Sequence, residues 1–270
     1  MEILEQLKEV RPVIKAVLFD FDGTISTLRH GWEKVMEPFM MEMILGTEPS
    51  ERNSKVVQEV REYIDQSTGI QTFYQMQWLA DAVKRYGRNS AASDDPWWYK
   101  AEYNRRLMQT VDIRKRSILR GEKPPSDFLI QNSEALLKYF HGHNLQIYVA
   151  SGTDHDDVAK EAEVLGLSGY FTEIAGAPHG KADCSKAAII TKLLEEAGIK
   201  GGELLVCGDG KVEIALGRQA GAVTLGVASD EERRCGINPI KRVRLVRAGA
   251  HAIVGDFTEM NEILLWLGMT

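Results

Sequence analysis

Two aspartates separated by one residue follow an apolar run near the start of the chain. The segment VLFDFDGTIS, residues 17 to 26, places Asp20 and Asp22 directly after a stretch that is typical of a buried strand. On an extended backbone both side chains project to the same side, and two carboxylates so close repel each other unless a positive charge lies beside them. The pair therefore predicts a site that holds a cation.

Polar residues also follow two later apolar runs. Ser151, Gly152 and Thr153 come after LQIYVA, and Asp209 follows ELLVCG, with Glu213 four positions further along the chain. Because ligands of open α/β sheets bind beyond the carboxyl ends of the strands, these residues are expected to gather near the aspartate pair. Mg2+ prefers hard oxygen ligands and is often held by a few carboxylates. The acids at two strand ends therefore predict a Mg2+ site.

These groups suit the transfer of a phosphoryl group. An ionised aspartate can attack phosphorus and form an aspartyl-phosphate, while a second acid protonates the leaving group. The hydroxyls of Thr24 and Ser151 can donate hydrogen bonds to phosphoryl oxygens, and a lysine is needed to stabilise the charge. The segment HGKADCSKAAII offers two candidates, Lys181 in a glycine-flanked loop and Lys186 at the start of a predicted helix.

Short apolar runs alternate with helical patterns in the flanking parts of the sequence. The predicted strands cover residues 13–19, 145–150, 170–176, 203–208, 222–228 and 250–255. The predicted helices cover residues 127–142, 154–165, 185–197 and 211–220. This alternation is typical of parallel strands that helices cover on both faces. The sequence therefore predicts a doubly wound α/β domain.

A helical insertion interrupts that alternation after the first strand. Helix-like spacing is found at residues 31–45, 51–65, 70–86 and 97–117. We interpret residues 28–126 as an all-helical domain inserted into the α/β domain, which takes residues 1–27 and 127–270. The segment GEKPPSD is the predicted return linker, because Pro-Pro excludes helix there and Ser126 or Asp127 can cap the next helix.

The motifs D-F-D-G-T and G-D-G-K-V-E, with the serine after the second strand and the helix-start lysine between them, resemble the haloacid dehalogenase superfamily. The resemblance covers the whole chain, because the helical cap of subclass I is inserted at the same place. It implies a Rossmann-like core and a phosphatase-like site. Asp20 would be the nucleophile and Asp22 the general acid and base, while Thr24, Ser151 and Gly152 would bind the phosphoryl group.

The resemblance also implies a metal shell and a lysine. Asp20, the backbone carbonyl of Asp22 and Asp209 would bind Mg2+, with Glu213 where many relatives carry a second aspartate. Lys186 precedes Asp209 by 23 positions, which is similar to the spacing in phosphoserine-phosphatase-like members. Lys186 is therefore favoured as the catalytic lysine, and phosphate binding by Lys181 from its loop stays open.

The expected activity is Mg2+-dependent hydrolysis of a small phosphorylated metabolite, of the sugar phosphate or phosphoglycolate type. Asp22 argues against a dehalogenase, and Arg29 and His30 are candidate substrate contacts. A sugar phosphomutase of the same superfamily and a non-catalytic phosphate and Mg2+ sensor are the alternatives. A phosphonatase is a further alternative, with a Schiff-base lysine from the cap, for which the candidates are Lys34, Lys55, Lys84 and Lys100.

The composition of the chain limits the classes of partner that it is expected to bind. The formal net charge is -6, which argues against binding to nucleic acid or an anionic membrane, and the basic run at residues 241–247 is interpreted as a solvated helix face. The three cysteines form no C-x-x-C pair, so we expect no disulfide framework and a cytoplasmic location. The N-terminal MEILEQLKEVRP predicts a short amphipathic helix rather than a signal peptide. The aromatic and methionine content of the cap suggests that it could also support a homodimer.

Overall fold

The computed structural model describes residues 1–7, 13–46, 54–89, 92–178, 180–181 and 185–269. The chain divides into two compact units. The α/β unit combines Met1–His30 with Lys115–Thr270, and the helical unit is Gly31–Arg114. No helix in the described parts of the chain is long and apolar enough to cross a membrane.

The α/β unit is built on a seven-stranded sheet. The strands are β1 (Glu2–Ile3), β2 (Ala16–Phe19), β3 (Gln146–Asp154), β4 (Glu173–Ala177), β5 (Leu204–Gly208), β6 (Val223–Val227) and β7 (Ala252–Val254). Their order across the sheet is β1-β7-β6-β5-β2-β3-β4, and every pair is parallel except β1 with β7. The predicted doubly wound parallel sheet is confirmed, with the aspartate-bearing strand β2 near its centre.

Helices cover both faces of this sheet. They are α5 (Ser133–Gly142), α6 (His155–Val164), α7 (Ser185–Glu195), α8 (Lys211–Gln219), α9 (Pro239–Ala248) and α10 (Met260–Leu267). Alternate residues of β2 enter different clusters, because side chains of a strand alternate between faces. Val17 and Phe19 pack in the cluster that contains α5, α6 and α10 residues, whereas Ala16 and Leu18 pack with α7. Burial on both faces explains why β2 is continuously apolar.

The helical unit has a core of its own. Its helices are α1 (Glu33–Leu45), α2 (Ser54–Gln66), α3 (Thr72–Tyr86) and α4 (Pro96–Leu119), and α4 continues into the α/β unit. Met36, Phe39 and Met40 of α1 are fully buried in one cluster with Tyr99 of α4 and Leu79 of α3. Methionine fills irregular gaps between helices, which explains its abundance in α1.

The unit boundaries differ from those expected from the sequence. The helical unit begins at residue 31 and ends at residue 114, inside the expected range 28–126. The reason is visible at the end of α4, where Ile118 packs in the same hydrophobic cluster as Val17 and Phe19 of β2. A pattern of helical spacing cannot show that the end of α4, from residue 115 on, belongs to the α/β unit.

Three local predictions were wrong. Residues 2–3 form β1 instead of the start of an amphipathic helix, and residues 8–12 of that predicted helix lie outside the described residues. The helix expected from residue 127 begins at Ser133, because Pro125–Phe128 forms a separate 3-10 helix and Asn132 takes the N-cap position. The basic run does lie in helix α9, but Lys241 on it is buried rather than solvated.

The cysteines contribute no disulfide within the described chain. Cys207 is buried in β5, Cys235 is partly exposed, and both are free. Cys184 lies outside the described residues. Burial raises the pKa of the Cys207 thiol far above its usual range, so this side chain behaves as a small apolar residue of the sheet.

Candidate active site

The candidate site lies at the carboxyl ends of the central parallel strands. Phe19, the last residue of β2, is paired with Val149 of β3 on one side and with Cys207 of β5 on the other. The backbone N–H of Asp20 donates to the carbonyl of Cys207 at 2.9 Å, so Asp20 continues the line of the strand. This register brings the polar residues that follow three strands to one edge of the sheet, as the sequence predicts.

Lys186 is held between two of the predicted acids. Its Nζ lies 2.9 Å from Asp20 Oδ1 and 2.7 Å from Glu213 Oε2, and all three side chains are buried. Burial alone would lower the pKa of Lys186, but the two carboxylates raise it above its ordinary value, so the ammonium keeps its charge. Lys181 is exposed and forms no ion pair with any described residue.

Three buried carboxylates form a donor set that fits a hard divalent cation. One oxygen each from Asp20, Asp209 and Glu213 lies within 4.8 Å of the other two. Burial raises the pKa of Asp20 well above its ordinary value; Lys186 opposes this, and Glu213 and Asp209 add to it. A divalent cation would relieve that repulsion, and oxygen-only donors are the chemistry that Mg2+ prefers. The residues present therefore fit Mg2+.

The Glu213 carboxylate already has two partners. Oε2 accepts from Lys186, and Oε1 accepts from the backbone N–H of Gly210 at 2.5 Å, at the start of α8. Asp20 and Asp209 are thus better placed to offer oxygen atoms to a cation. The geometry gives Glu213 a second task, which is to hold the Lys186 ammonium beside Asp20.

Two glycines allow the acid-bearing loops to approach each other. Gly23 has φ +74°, and a Cβ there would lie 2.4 Å from Asp209 Oδ2. A Cβ on Gly208 would lie 2.3 Å from the Glu213 side chain. Both positions exclude any larger residue at this distance, so the motifs D-x-D-G and G-D-G serve close packing of the acids.

Replacing Gly23 with alanine is expected to cost more than backbone strain alone. Gly166 has the same φ of +74°, but a Cβ on it would have no atom within 4 Å, so Gly166→Ala measures the strain by itself. We expect Gly166→Ala to lower the free energy of unfolding by about 1 kcal/mol. Gly23→Ala should lower it by about 2 kcal/mol more, because Asp209 must move. Urea denaturation of both variants checks this, and equal losses would show that Asp209 yields without cost.

Asp22 lies in a polar environment of different character. Its Oδ2 accepts a hydrogen bond from Thr153 Oγ1 at 2.8 Å and a longer one from Ser151 Oγ at 3.4 Å, and Arg29 Nε lies 4.0 Å from Oδ1. Burial raises the pKa of Asp22 to about 6, with Arg29 lowering it and Glu161 raising it. A carboxyl group with that pKa can both give and take a proton near neutral pH.

The side chain of Arg29 is oriented by acids of α6. It donates to Glu161 through Nε and Nη2, at 3.1 Å and 2.7 Å to Oε1, and Nη2 donates to Asp157 at 3.1 Å. Arg29 and Glu161 are both buried. The structure thus places Arg29 beside Asp22 and against carboxylates, while His30 Nδ1 lies 3.8 Å from Glu231 Oε2.

The predicted phosphate-binding hydroxyls lie in different surroundings. Thr24 is fully buried, and its Oγ1 has no hydrogen-bond partner among the described residues. Ser151 and Gly152 both lie on β3, which continues to Asp154 instead of ending at residue 150. An unsatisfied buried hydroxyl is costly, so the Thr24 side chain is a candidate donor to a ligand.

Sequence reasoning assigned no role to several residues of this site. The sequence could have indicated Thr153, because it lies two positions after Ser151 and projects to the same side of β3. No feature of the sequence indicates Lys241, since it lies in a basic run far from the motifs. Its Nζ lies 2.6 Å from Asp209 Oδ2 and 2.6 Å from Glu231 Oε1. Burial lowers the pKa of Lys241, but these two carboxylates raise it above its ordinary value.

Solved structures of similar fold include phosphatases and a mutase. A predicted phosphoglycolate phosphatase from Haemophilus somnus 129pt shares 17% identity at a TM-score of 0.62, covering 93% of this chain and 97% of its own. A predicted phosphatase from Clostridium acetobutylicum shares 16% identity at a TM-score of 0.63, covering 94% and 99%. A β-phosphoglucomutase from Clostridium difficile shares 16% identity at a TM-score of 0.62, covering 95% and 98%.

Comparison of the sequence with family models identifies the family of the chain. No curated protein matches the chain in sequence. Residues 14–221, more than half of the chain, match the family of haloacid dehalogenase-like hydrolases. The match spans Asp20, Ser151, Lys186 and Asp209, which the fold brings to one edge of the sheet. The chain therefore belongs to the haloacid dehalogenase-like hydrolases.

Proposed function

We propose that this protein is a Mg2+-dependent phosphatase that hydrolyses a small phosphorylated metabolite through an aspartyl-phosphate. The observation that carries the proposal is the placement of Asp20. This carboxylate lies at the end of β2, near the centre of the sheet, 2.9 Å from the Lys186 ammonium and within reach of Asp209. A buried, cation-supported carboxylate at the mouth of an α/β sheet is suited to nucleophilic attack.

In the first step, a carboxylate oxygen of Asp20 attacks phosphorus and the ester oxygen leaves. Asp22 donates its proton to that oxygen, which departs as an alcohol. In the second step, Asp22, now ionised, takes a proton from water. The resulting hydroxide attacks the phosphorus of the aspartyl-phosphate, releases inorganic phosphate and restores the Asp20 carboxylate. The pKa of about 6 at Asp22 suits both proton transfers.

Charge stabilisation of the phosphoryl group falls to residues around Asp20. Asp20, Asp209 and the backbone carbonyl of Asp22 would hold Mg2+, which when bound neutralises charge on the phosphoryl oxygens. Lys186 would donate to a phosphoryl oxygen from its position beside Asp20. The buried Thr24 hydroxyl and Ser151 would add neutral donors.

A sugar phosphomutase is the second candidate. A β-phosphoglucomutase is among the solved structures of similar fold, and this supports the mutase as the alternative. The same Asp20 and Asp22 chemistry serves both reactions, and they differ in the group that receives the phosphoryl from Asp20. The measured product distinguishes them.

The test is phosphate release from a panel of sugar phosphates and phosphoglycolate, with Mg2+ and with EDTA. We expect Mg2+-dependent release from at least one ester, and none with EDTA. Parallel phosphorus NMR follows positional isomers of each sugar phosphate. Formation of a positional isomer without free phosphate would show that the protein is a mutase and not a phosphatase. A folded, Mg2+-loaded protein that does neither would contradict the proposed function.

Thr153 is expected to act as a positioning residue for Asp22. Thr153→Val removes the 2.8 Å hydrogen bond and should lower kcat/KM by about tenfold, since hydrogen bonds to a charged acceptor are the stronger kind. Thr153→Ser keeps the hydroxyl and should retain activity within about threefold. Steady-state kinetics of both variants checks this, together with thermal unfolding. Equal losses in both would assign Thr153 to packing instead.

A further inference from the structure

Lys241 is built into the acid cluster by all three of its ammonium donors. Nζ lies 2.6 Å from Asp209 Oδ2, 2.6 Å from Glu231 Oε1 and 3.1 Å from Ser229 Oγ. The Ser229 hydroxyl in turn donates to the backbone carbonyl of Gly23, in the loop that follows β2. Every hydrogen of the ammonium thus has an acceptor, and the side chain ties the Asp209 loop to the Asp20 loop.

The position of Lys241 in its helix is unfavourable by itself. It lies in the first turn of α9, after the Asn238 cap, where the helix dipole disfavours a positive charge. Lysine is also rarely buried without a partner, yet Lys241 is only 6% exposed. Its location is therefore explained by the carboxylates that it contacts, not by the local sequence.

Asp209 is the link between Lys241 and the cation site. Lys241 contacts Oδ2 of this carboxylate, and a Gly23 Cβ would meet both that oxygen and Nζ. A cation bound by Asp209 and Asp20 would therefore lie close to a fixed positive charge in a poorly solvated site. Two like charges in such surroundings repel strongly, because water screens them little.

We propose that Lys241 is a tethered counter-charge that acts through Asp209 and lowers the affinity of the site for a divalent cation. The inference rests on the cation site of the proposed function, and it goes beyond it by assigning the affinity to a residue outside the motifs. Without a cation, the ammonium neutralises Asp209. When a cation binds Asp209, Glu231 keeps the ammonium paired.

Three variants test the sign of this effect. Lys241→Met keeps the length of the side chain and removes its charge, so it should bind Mg2+ about tenfold more tightly or better. Lys241→Arg keeps the charge and should stay within about threefold of the wild type. Glu231→Gln removes the second acid and leaves Asp209 as the one carboxylate that the described residues offer to Lys241. This variant should bind Mg2+ about threefold to tenfold more weakly.

The measurement is titration calorimetry of the full chain with Mg2+ alone, repeated with Mn2+ by paramagnetic resonance, without substrate. Tighter binding by Lys241→Met together with weaker binding by Glu231→Gln supports the proposal, since general damage to the site would weaken both. If Lys241→Met does not fold, Glu231→Gln still decides, because unchanged or tighter binding there overturns the proposal. Weaker or unchanged binding by folded Lys241→Met overturns it too.

The result is separate from the test of the phosphatase. Cation binding that follows the expected order supports the counter-charge even if no ester in the panel is hydrolysed. A wild-type protein that binds neither Mg2+ nor Mn2+ overturns the counter-charge. If such a protein still hydrolyses an ester, the release of phosphate must persist in EDTA. That result differs from a protein that binds Mg2+ and hydrolyses no ester.

Discussion

Asp20→Asn is expected to abolish turnover and leave a folded protein. The amide oxygen of asparagine is a poor nucleophile, and loss of an attacking group costs roughly 10^4-fold or more in kcat. Lys186 keeps its contact with Glu213 at 2.7 Å, so its charge remains paired. The variant therefore removes the chemistry without leaving a buried ammonium unbalanced.

The stability of Asp20→Asn gives an independent check. Burial raises the pKa of Asp20 in the folded state, so its ionised form destabilises the cation-free fold as the pH rises above the pKa of the unfolded chain. Removing this acid should therefore maintain or raise the melting temperature at neutral pH without Mg2+, and should reduce the further rise that Mg2+ produces. Thermal unfolding with and without Mg2+ measures both.

Deamidation is the main confounding event, because it would restore Asp20. Intact mass of the purified variant excludes it. Turnover within tenfold of the wild type, in protein whose mass retains asparagine, would contradict the assignment of Asp20 as nucleophile. The Thr153→Val variant serves as a matched comparison, since it alters Asp22 and keeps Asp20 in place.

Sequence patterns could predict the strand ends because periodicity and motif spacing are local properties. The run before Asp20 is continuously apolar since β2 is buried on both faces, and that pattern identifies a central strand. The position of Asp209 after β5 follows from the same rule. The meeting of three acids at neighbouring strand ends could thus be expected from the sequence alone.

The remaining contacts depend on side chains that meet only in the folded chain. Lys241 is 32 positions after Asp209, and nothing in the basic run distinguishes it from Arg242, which pairs with Glu2 at the surface. Glu161 is similar, because its partner Arg29 is 132 positions away. Hydrophobic periodicity marks which face of a helix is buried, but it does not say that a charged residue on that face has a partner.

Lys186→Met is expected to lower kcat by roughly 10^3-fold, and Lys181→Met is the matched control. Lys186 is buried and contacts Asp20 and Glu213, whereas Lys181 is exposed. Removing a positively charged group that stabilises a transferring phosphoryl group has effects of about that size. Lys181→Met should keep kcat within about twofold and the free energy of unfolding within about 0.5 kcal/mol.

In Lys186→Met, the loss of stability that comes from two unpaired buried acids must be distinguished from the loss of catalysis. Without Lys186, Asp20 and Glu213 have no counter-charge between them, so the free energy of unfolding should fall by about 3 to 5 kcal/mol. Mg2+ binds the folded state only and should recover part of this stability by mass action. Turnover should not recover with it, because the cation does not replace the ammonium at the phosphoryl oxygen. Activity that returns in step with stability as Mg2+ is added would limit Lys186 to a structural role, and a large loss in Lys181→Met would transfer the catalytic assignment to that lysine.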